Sequence, residues 1–451
     1  MQFLSLTNRY NEIKSVHYRN LEMKSSSNYL VYNAIILLLI GLSLNFCAAP
    51  QINSVKPDII PLTTDTVKTI MLGNENLISN YLDIIIRKNV GLLTNAAGVN
   101  SKLESSIDVF FNHPQISLIK LFSPEHGIRG AVYAGDRVND DIDARTGLKI
   151  YSLYGKNKRP SKEMLADLDI IMIDLQDTGV RSYTYIYSMA EMMVAAARDG
   201  KKVVVLDRPN PLGGIQVEGN ILETGFESFV GMYPIPYRYG MTIGELARLF
   251  NTEFAISCDL TVIPIKNWKR DMLWQDTGLQ WVPTSPHIPN GLSPLYACIT
   301  GPIGELQTIS NGVGYTSPFE LIGAPWIDAY KLADALNSLN LTGIFFRPVF
   351  YKPYYATFSG QNCQGVQIYL INPKECNLFV TGLYIMQTLI KLYPEQNIFA
   401  NKDRLEMFNN VMGCDWILDD LQNNIPVSVI QNKWQDNLQK FISIREQYLI
   451  Y

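Results

Sequence analysis

Short uninterrupted apolar runs recur along the chain, and polar or turn-forming residues follow each of them at once. Asn89-Val-Gly-Leu-Leu93 leads into Thr94-Asn95, and Leu118-Ile-Lys-Leu-Phe122 into Ser123-Pro-Glu-His-Gly127. Asp169-Ile-Ile-Met-Ile173 leads into Asp174-Leu-Gln-Asp177, and Lys202-Val-Val-Val-Leu206 into Asp207-Arg-Pro-Asn-Pro211. Strands this short and this continuously apolar belong to a parallel sheet covered on both faces. Helical stretches separate them. Ser188–Asp199 is rich in Ala and Met and is closed by Gly200 at a C′ position. Thr242-Ile-Gly-Glu245 is a capping box that opens a helix over Ile243–Asn251. The alternation predicts a doubly wound α/β domain.

In such sheets ligands bind outside the carboxyl ends of the strands, near the point where strand order reverses. Four polar clusters fall at such ends, so the pattern predicts that they meet above one crevice. Composition changes near Val282-Pro-Thr-Ser-Pro-His-Ile-Pro-Asn-Gly291, a Pro-rich crossing. Beyond it lie Gly-rich loops, helices expected at Trp326–Leu341, Thr381–Leu392 and Lys433–Tyr448, and a strand at Gly365–Leu370. The expected division is a catalytic α/β domain over 81–285 and a smaller auxiliary α+β domain over 286–451.

The chain has 451 residues, 47% hydrophobic and 18% charged, with a net charge of -4. This composition supports a sizeable core, and it carries no basic footprint for nucleic acid. The 25 tyrosines suit sugar stacking, although Tyr also fills cores. Between Lys24 and Lys56 there is no charge, and Ala34–Leu44 has the length of a secretory apolar segment rather than a membrane span. Leu44-Asn-Phe-Cys47 follows as a relaxed lipobox. Residues 1–47 are therefore expected to be a lipoprotein leader with its true start at Met23, Cys47 the lipidated residue, and 48–80 a tether followed by an entry helix. That places the protein in the cell envelope, on the membrane through its lipid alone, facing the periplasm or the exterior. The five other cysteines contain no CxxC pair and are expected to be mostly buried, inert thiols with at most one or two disulfides.

No phosphate-binding GxxxxGK[ST], no GxGxxG after a strand, no HExxH and no GxSxG elbow is present. With four histidines in the whole chain, a His-based metal site is disfavoured, and neither metal nor cofactor is expected. Within Ser123-Pro-Glu-His-Gly127, Pro124 and Gly127 present Glu125 and His126 at a strand end. A carboxylic acid in a closed cleft suits proton donation to a glycosidic oxygen. Alternatively, Glu125 pairs with Arg129 and holds the loop, and His126 is structural. In the second cluster Asp174, Gln176, Asp177, Arg181, Tyr183 and Tyr185 suit hydroxyl, acetamido and carboxylate groups, or form a cap network with an Asp–Arg pair. In the third, two prolines hold Asp207, Arg208 and Asn210, and Glu218 is a further carboxylate within reach. Glycosidases commonly use two carboxyl groups, but an acetamido sugar can supply its own nucleophile, so the second group stays open.

These motifs resemble the bacterial family, once known only as a domain of unknown function, that contains the exo-β-N-acetylmuramidases called NamZ. The matching stretches include Gly91–Asn95, Leu121–Gly130, Thr146–Leu148, Tyr151–Gly155, Asp174–Arg181, Leu206–Gly214, Gly231–Arg238, Pro318–Trp326 and Trp434–Tyr451. The resemblance implies a Rossmann-like domain with an auxiliary C-terminal domain, and removal of N-acetylmuramic acid from non-reducing ends of peptidoglycan fragments. It implies Glu125 as the catalytic acid with His126 beside it. Asn95 and the residues of the three clusters would bind the saccharide. Arg129, Arg181, Arg208 or Arg238 would meet the lactyl carboxylate. Glu305 keeps an acidic position, but Val313 stands where many members carry Arg. The rival expectations are a non-catalytic muropeptide-binding lipoprotein, and an amidase or deacetylase acting on the same polymer.

Overall fold

The structure is a computed structural model that describes residues 69–130, 132, 135–136, 138–155 and 157–451. Cys47 and the leader lie outside the described residues. The described residues from Thr69 to Tyr451 belong to one compact unit. Its central sheet has seven strands: β1 (Asn89–Thr94), β2 (Ser117–Ser123), β3 (Asp141–Ile142), β4 (Lys149–Ser152), β5 (Ile170–Asp174), β6 (Lys202–Leu206) and, later, β9 (Asp259–Ile263). Their order is β3-β4-β2-β1-β5-β6-β9, parallel throughout except for the short edge strand β3.

Each apolar run of the sequence forms a strand because no polar face is needed. All five residues of β5 are buried, as are four of five in β6. One sheet face packs on the helix Tyr185–Arg198 and the helix Ile243–Glu253 through Ile171, Ile173, Val203 and Val205. The other packs through Met172, Val204 and Leu206 against Leu77, Ile107 and Phe110. The Thr242–Glu245 capping box forms as expected, with Thr242 Oγ1 accepting from Glu245 N and Glu245 Oε2 accepting from Thr242 N.

Order begins earlier than Tyr81. Ile70 and Leu72 are buried, and Met71 exchanges main-chain hydrogen bonds with Lys266 at 3.1 and 2.9 Å. The helix Gly73–Asn80 then lies against β6 so closely that a Cβ on Gly73 would stand 2.3 Å from Asp207 N. Two short strands, β7 (Glu218–Ile221) and β8 (Pro236–Arg238), pair antiparallel beyond β6.

The C-terminal part carries an antiparallel sheet of β10 (Leu321–Ala324), β11 (Ile344–Tyr351) and β12 (Cys363–Leu370), in the order β10-β12-β11. Helices Ala329–Asn337 and Leu378–Leu392 pack on it around Leu332, Phe346, Val366 and Leu383. Cys258, Cys298, Cys363, Cys376 and Cys414 are buried free thiols. Burial pushes the Cys258, Cys363 and Cys376 thiols up to about 11, away from reactive thiolate character.

Candidate active site

From β1 the chain passes to β2 on one side and later reaches β5 on the other, so strand order reverses between β1 and β5. The polar clusters meet at this edge. Thr94 Oγ1 donates to Asp174 O at 2.8 Å, and Asn95 Nδ2 to Gln176 O at 3.3 Å. Gln176 Nε2 reaches Pro209 O, beyond β6, at 3.0 Å.

Glu125 sits in the loop after β2, at 8% exposure. The loop turns back on itself through His126 and Gly127, both at positive φ (70° and 74°). A non-glycine residue held there marks a backbone position that the surroundings over-determine. The carboxylate is fixed from two sides. Oε2 accepts from Thr184 Oγ1 at 2.7 Å, and Oε1 accepts from Gly135 N at 3.1 Å. The Tyr154 hydroxyl faces the same carboxylate. Burial and then the Glu125 charge hold that phenol well above the ordinary Tyr range, so it stays a neutral donor. The Tyr185 hydroxyl lies against both Glu125 O (3.3 Å) and Thr284 O (2.7 Å). His126 Nδ1 lies 2.8 Å from Val132 O, and because a carbonyl only accepts, this nitrogen carries the proton.

Asn95, Glu125, His126, Gln176, Tyr183 and Tyr185 thus come together. The Gln176 amide nitrogen is held by Asp177 O and Pro209 O, and its Oε1 is buried without a hydrogen-bond partner among the described residues. A buried orphan acceptor at this sheet edge is a place for a substrate donor. Asp177 lies behind, with Oδ2 accepting from the Tyr239 hydroxyl and from Gly179 N. Burial pushes its carboxyl up to about 6.

The structure places the other expected residues on partners within the protein. Arg208 and Asp174, at 2% and 0% exposure, form a buried two-point ion pair at 2.6 and 2.9 Å that fastens β6 to β5. Asp207 accepts from Arg208 N, Gly244 N, Thr242 Oγ1 and Tyr451 OH, and burial raises its carboxyl to about 7. Asn210 closes its own turn by accepting from Leu212 N and donates to Met241 O. Arg181 is fully buried on four carbonyls, those of Asn220, Ile235, Val411 and Met412. Arg238 pairs with Glu218, whose other oxygen accepts from Phe379 N at 3.0 Å. Glu305 pairs with Arg404. Arg129, half exposed, pairs with Asp143 and not with Glu125. These side chains are committed to protein partners.

Thr184, Tyr154, Thr284 and His287 were not singled out by sequence. Thr184 stands between two expected residues, Tyr183 and Tyr185, and could have been taken with them. Thr284 and His287 lie in the Pro-rich crossing, where nothing but composition marks them. Cavities of about 280 and 220 Å³ lie elsewhere, lined by Leu260, Val262 and Ile450 and by Leu212, Ile215 and Lys374, and neither touches Glu125. Among the described residues no group of His, Cys, Asp and Glu could hold a metal ion.

The family models described as exo-beta-N-acetylmuramidase NamZ, N-terminal and C-terminal, match residues 90–291 and 296–451. The chain is 46% identical over 398 residues to the peptidoglycan beta-N-acetylmuramidase NamZ of Bacillus subtilis (strain 168), covering 88% of this chain and 95% of that one. A solved DUF1343 family protein from Bacteroides fragilis NCTC 9343 is similar with TM-score 0.81 at 42% identity, over 85% of this chain and 99% of that one. A second from the same organism has TM-score 0.66 at 28% identity, with the same coverage.

Proposed function

The chain belongs to the exo-beta-N-acetylmuramidase NamZ family, and from that premise we propose that Glu125 is the acid with which it cleaves terminal N-acetylmuramic acid from peptidoglycan fragments. The protein is a glycoside hydrolase of this family. The observation that carries the assignment of Glu125 is its position: a buried carboxyl at the switch point of the sheet, aimed by Thr184, Gly135 and Tyr154. Fixing an acid before substrate arrives removes reorganisation from the transition state. Glu125 then delivers a proton to the glycosidic oxygen as the bond to the anomeric carbon breaks. Asn95, His126, Gln176, Tyr183 and Tyr185 supply the surrounding polar contacts.

The experiment is digestion of a N-acetylmuramyl-β-1,4-N-acetylglucosamine disaccharide and longer glycans carrying a reducing-end label. Free N-acetylmuramic acid is expected first, with label remaining on a chain shortened by one sugar. Internal fragments, or no released muramic acid, would overturn the proposal.

We also propose that Cys47 is lipidated and holds the enzyme at the envelope membrane. The reading is supported by the uncharged apolar segment and the Leu44–Cys47 motif. A cysteine carrying two or more acyl chains anchors a protein stably in an apolar phase, as one chain alone does not. Full-length protein made in a lipoprotein-processing bacterium is therefore expected in the detergent phase of a phase-separation assay, and Cys47→Ser in the aqueous phase. Equal partition of the two would sink the assignment.

A further inference from the structure

One wall of the crevice comes from the C-terminal part and is aromatic. Thr284 O and Glu125 O meet at the same Tyr185 hydroxyl. His287 stands three residues beyond Thr284, at most about 11 Å of main chain away. Burial first, and the His126 charge second, hold its imidazole below the ordinary His range. Tyr355 closes over it from the loop between β11 and β12. Its ring lies 6.1 Å from the imidazole at an interplanar angle of 30°, and its hydroxyl is 3.0 Å from His287 Nε2. The neighbouring Tyr354 is 72% exposed and stacks on Tyr315 at 5.6 Å and 25°.

This lip is built rather than loose. Tyr354 N donates to Gly314 O at 2.7 Å. Gly314 has φ +92°, and a Cβ there would stand 2.0 Å from Tyr355 O, so the two loops meet backbone to backbone. The protein thus holds two exposed tyrosines on the loop that covers His287, a short run of chain from the point where Thr284 O meets Tyr185 OH.

We infer that Tyr354 and Tyr355 form the subsite for the sugar on the leaving-group side of the scissile bond. The inference rests on the exo-acting reading. An enzyme that takes one terminal sugar encloses that sugar and leaves the rest of the glycan on the open side of its acid. Here the enclosed side is the buried wall of Thr184, Tyr185 and Gln176, and the open side is the tyrosine lip. The face of a pyranose presents C–H groups of slight positive charge, which match the negative face of an aromatic ring.

The test separates this subsite from the chemistry by changing the leaving group. Tyr354→Ala, Tyr355→Ala and Tyr355→Phe are compared with wild type on the disaccharide and on N-acetylmuramyl β-fluoride, whose leaving group has no ring. The alanine variants are expected to raise KM for the disaccharide about tenfold, the scale of one lost aromatic contact, with kcat within about twofold. Fluoride turnover is expected to stay within about twofold, and Tyr355→Phe to keep the disaccharide KM, because stacking and not the hydroxyl holds the sugar. Equal losses on both substrates, or an unchanged disaccharide KM, would overturn the subsite. Wild-type protein inactive on both substrates would instead overturn the muramidase reading on which the subsite rests.

Discussion

Glu125→Gln is expected to slow hydrolysis of the muramyl disaccharide by about a thousandfold, within the range of general acid catalysis. The folded state should persist. A glutamine carbonyl still accepts from Gly135 N, and the Thr184 and Tyr154 hydroxyls can rotate to accept from its amide. The loss should depend on the leaving group. A sugar alkoxide needs protonation as it departs, whereas fluoride needs little. On N-acetylmuramyl β-fluoride the deficit should therefore shrink to about tenfold or less. Steady-state kinetics on the two substrates decide the matter. Undiminished disaccharide turnover removes Glu125 from the chemistry, and an equal collapse on the fluoride gives it a role other than proton donation.

The second large effect is on stability. Arg208→Met should cost about 3–5 kcal/mol, because it leaves the Asp174 carboxylate buried without its cation. Asp174 would keep only the Ser106 hydroxyl and a long contact from Asn74 Nδ2 at 3.4 Å, and Val99 O would be left with Asn74 Nδ2 alone, at 3.1 Å. The double variant Asp174→Asn with Arg208→Met should recover part of the loss, since no unpaired charge remains. Urea unfolding midpoints of the single and double variants measure this. If Arg208 met the substrate carboxylate instead, its replacement would raise KM and leave the midpoint in place.

That contrast shows what a sequence carries and what it does not. The β5 and β6 runs were legible because strands buried on both faces have no polar alternation to confuse them. The strand-end clusters were legible for the same reason: a continuous apolar run has an unmistakable last residue. The Thr242–Glu245 cap was legible because both its hydrogen bonds are local. Strands β3, β7 and β8 have two, four and three residues, too short for any periodicity to register. What the arginines contact was not legible, for a different reason. Arg181, Arg208 and Arg238 stand in the motifs that carry the family resemblance, yet each is sealed against protein carbonyls or carboxylates. A string of letters gives a charge and not its burial, and a conspicuous arginine in a polar loop can serve the scaffold as readily as the substrate. His287 and Tyr355 were out of reach because their pairing joins residues 68 apart through loops with no regular pattern.

Arg181 also has a bearing on how this protein can diverge. Its guanidinium ties Asn220 O and Ile235 O to Val411 O and Met412 O, so the seam between the segments matched by the two family models is held through main-chain oxygens. Carbonyls are the same in every residue. Side chains on the far side are accordingly free to drift without breaking the joint, provided the backbone keeps its path. The exception is Gly413, where φ is +73° and a Cβ would come within 2.7 Å of Arg181 Nη2. Swapping C-terminal segments among relatives should thus tolerate other apolar residues of similar size at positions 411 and 412, whose side chains are buried in the core, and very little change at 413.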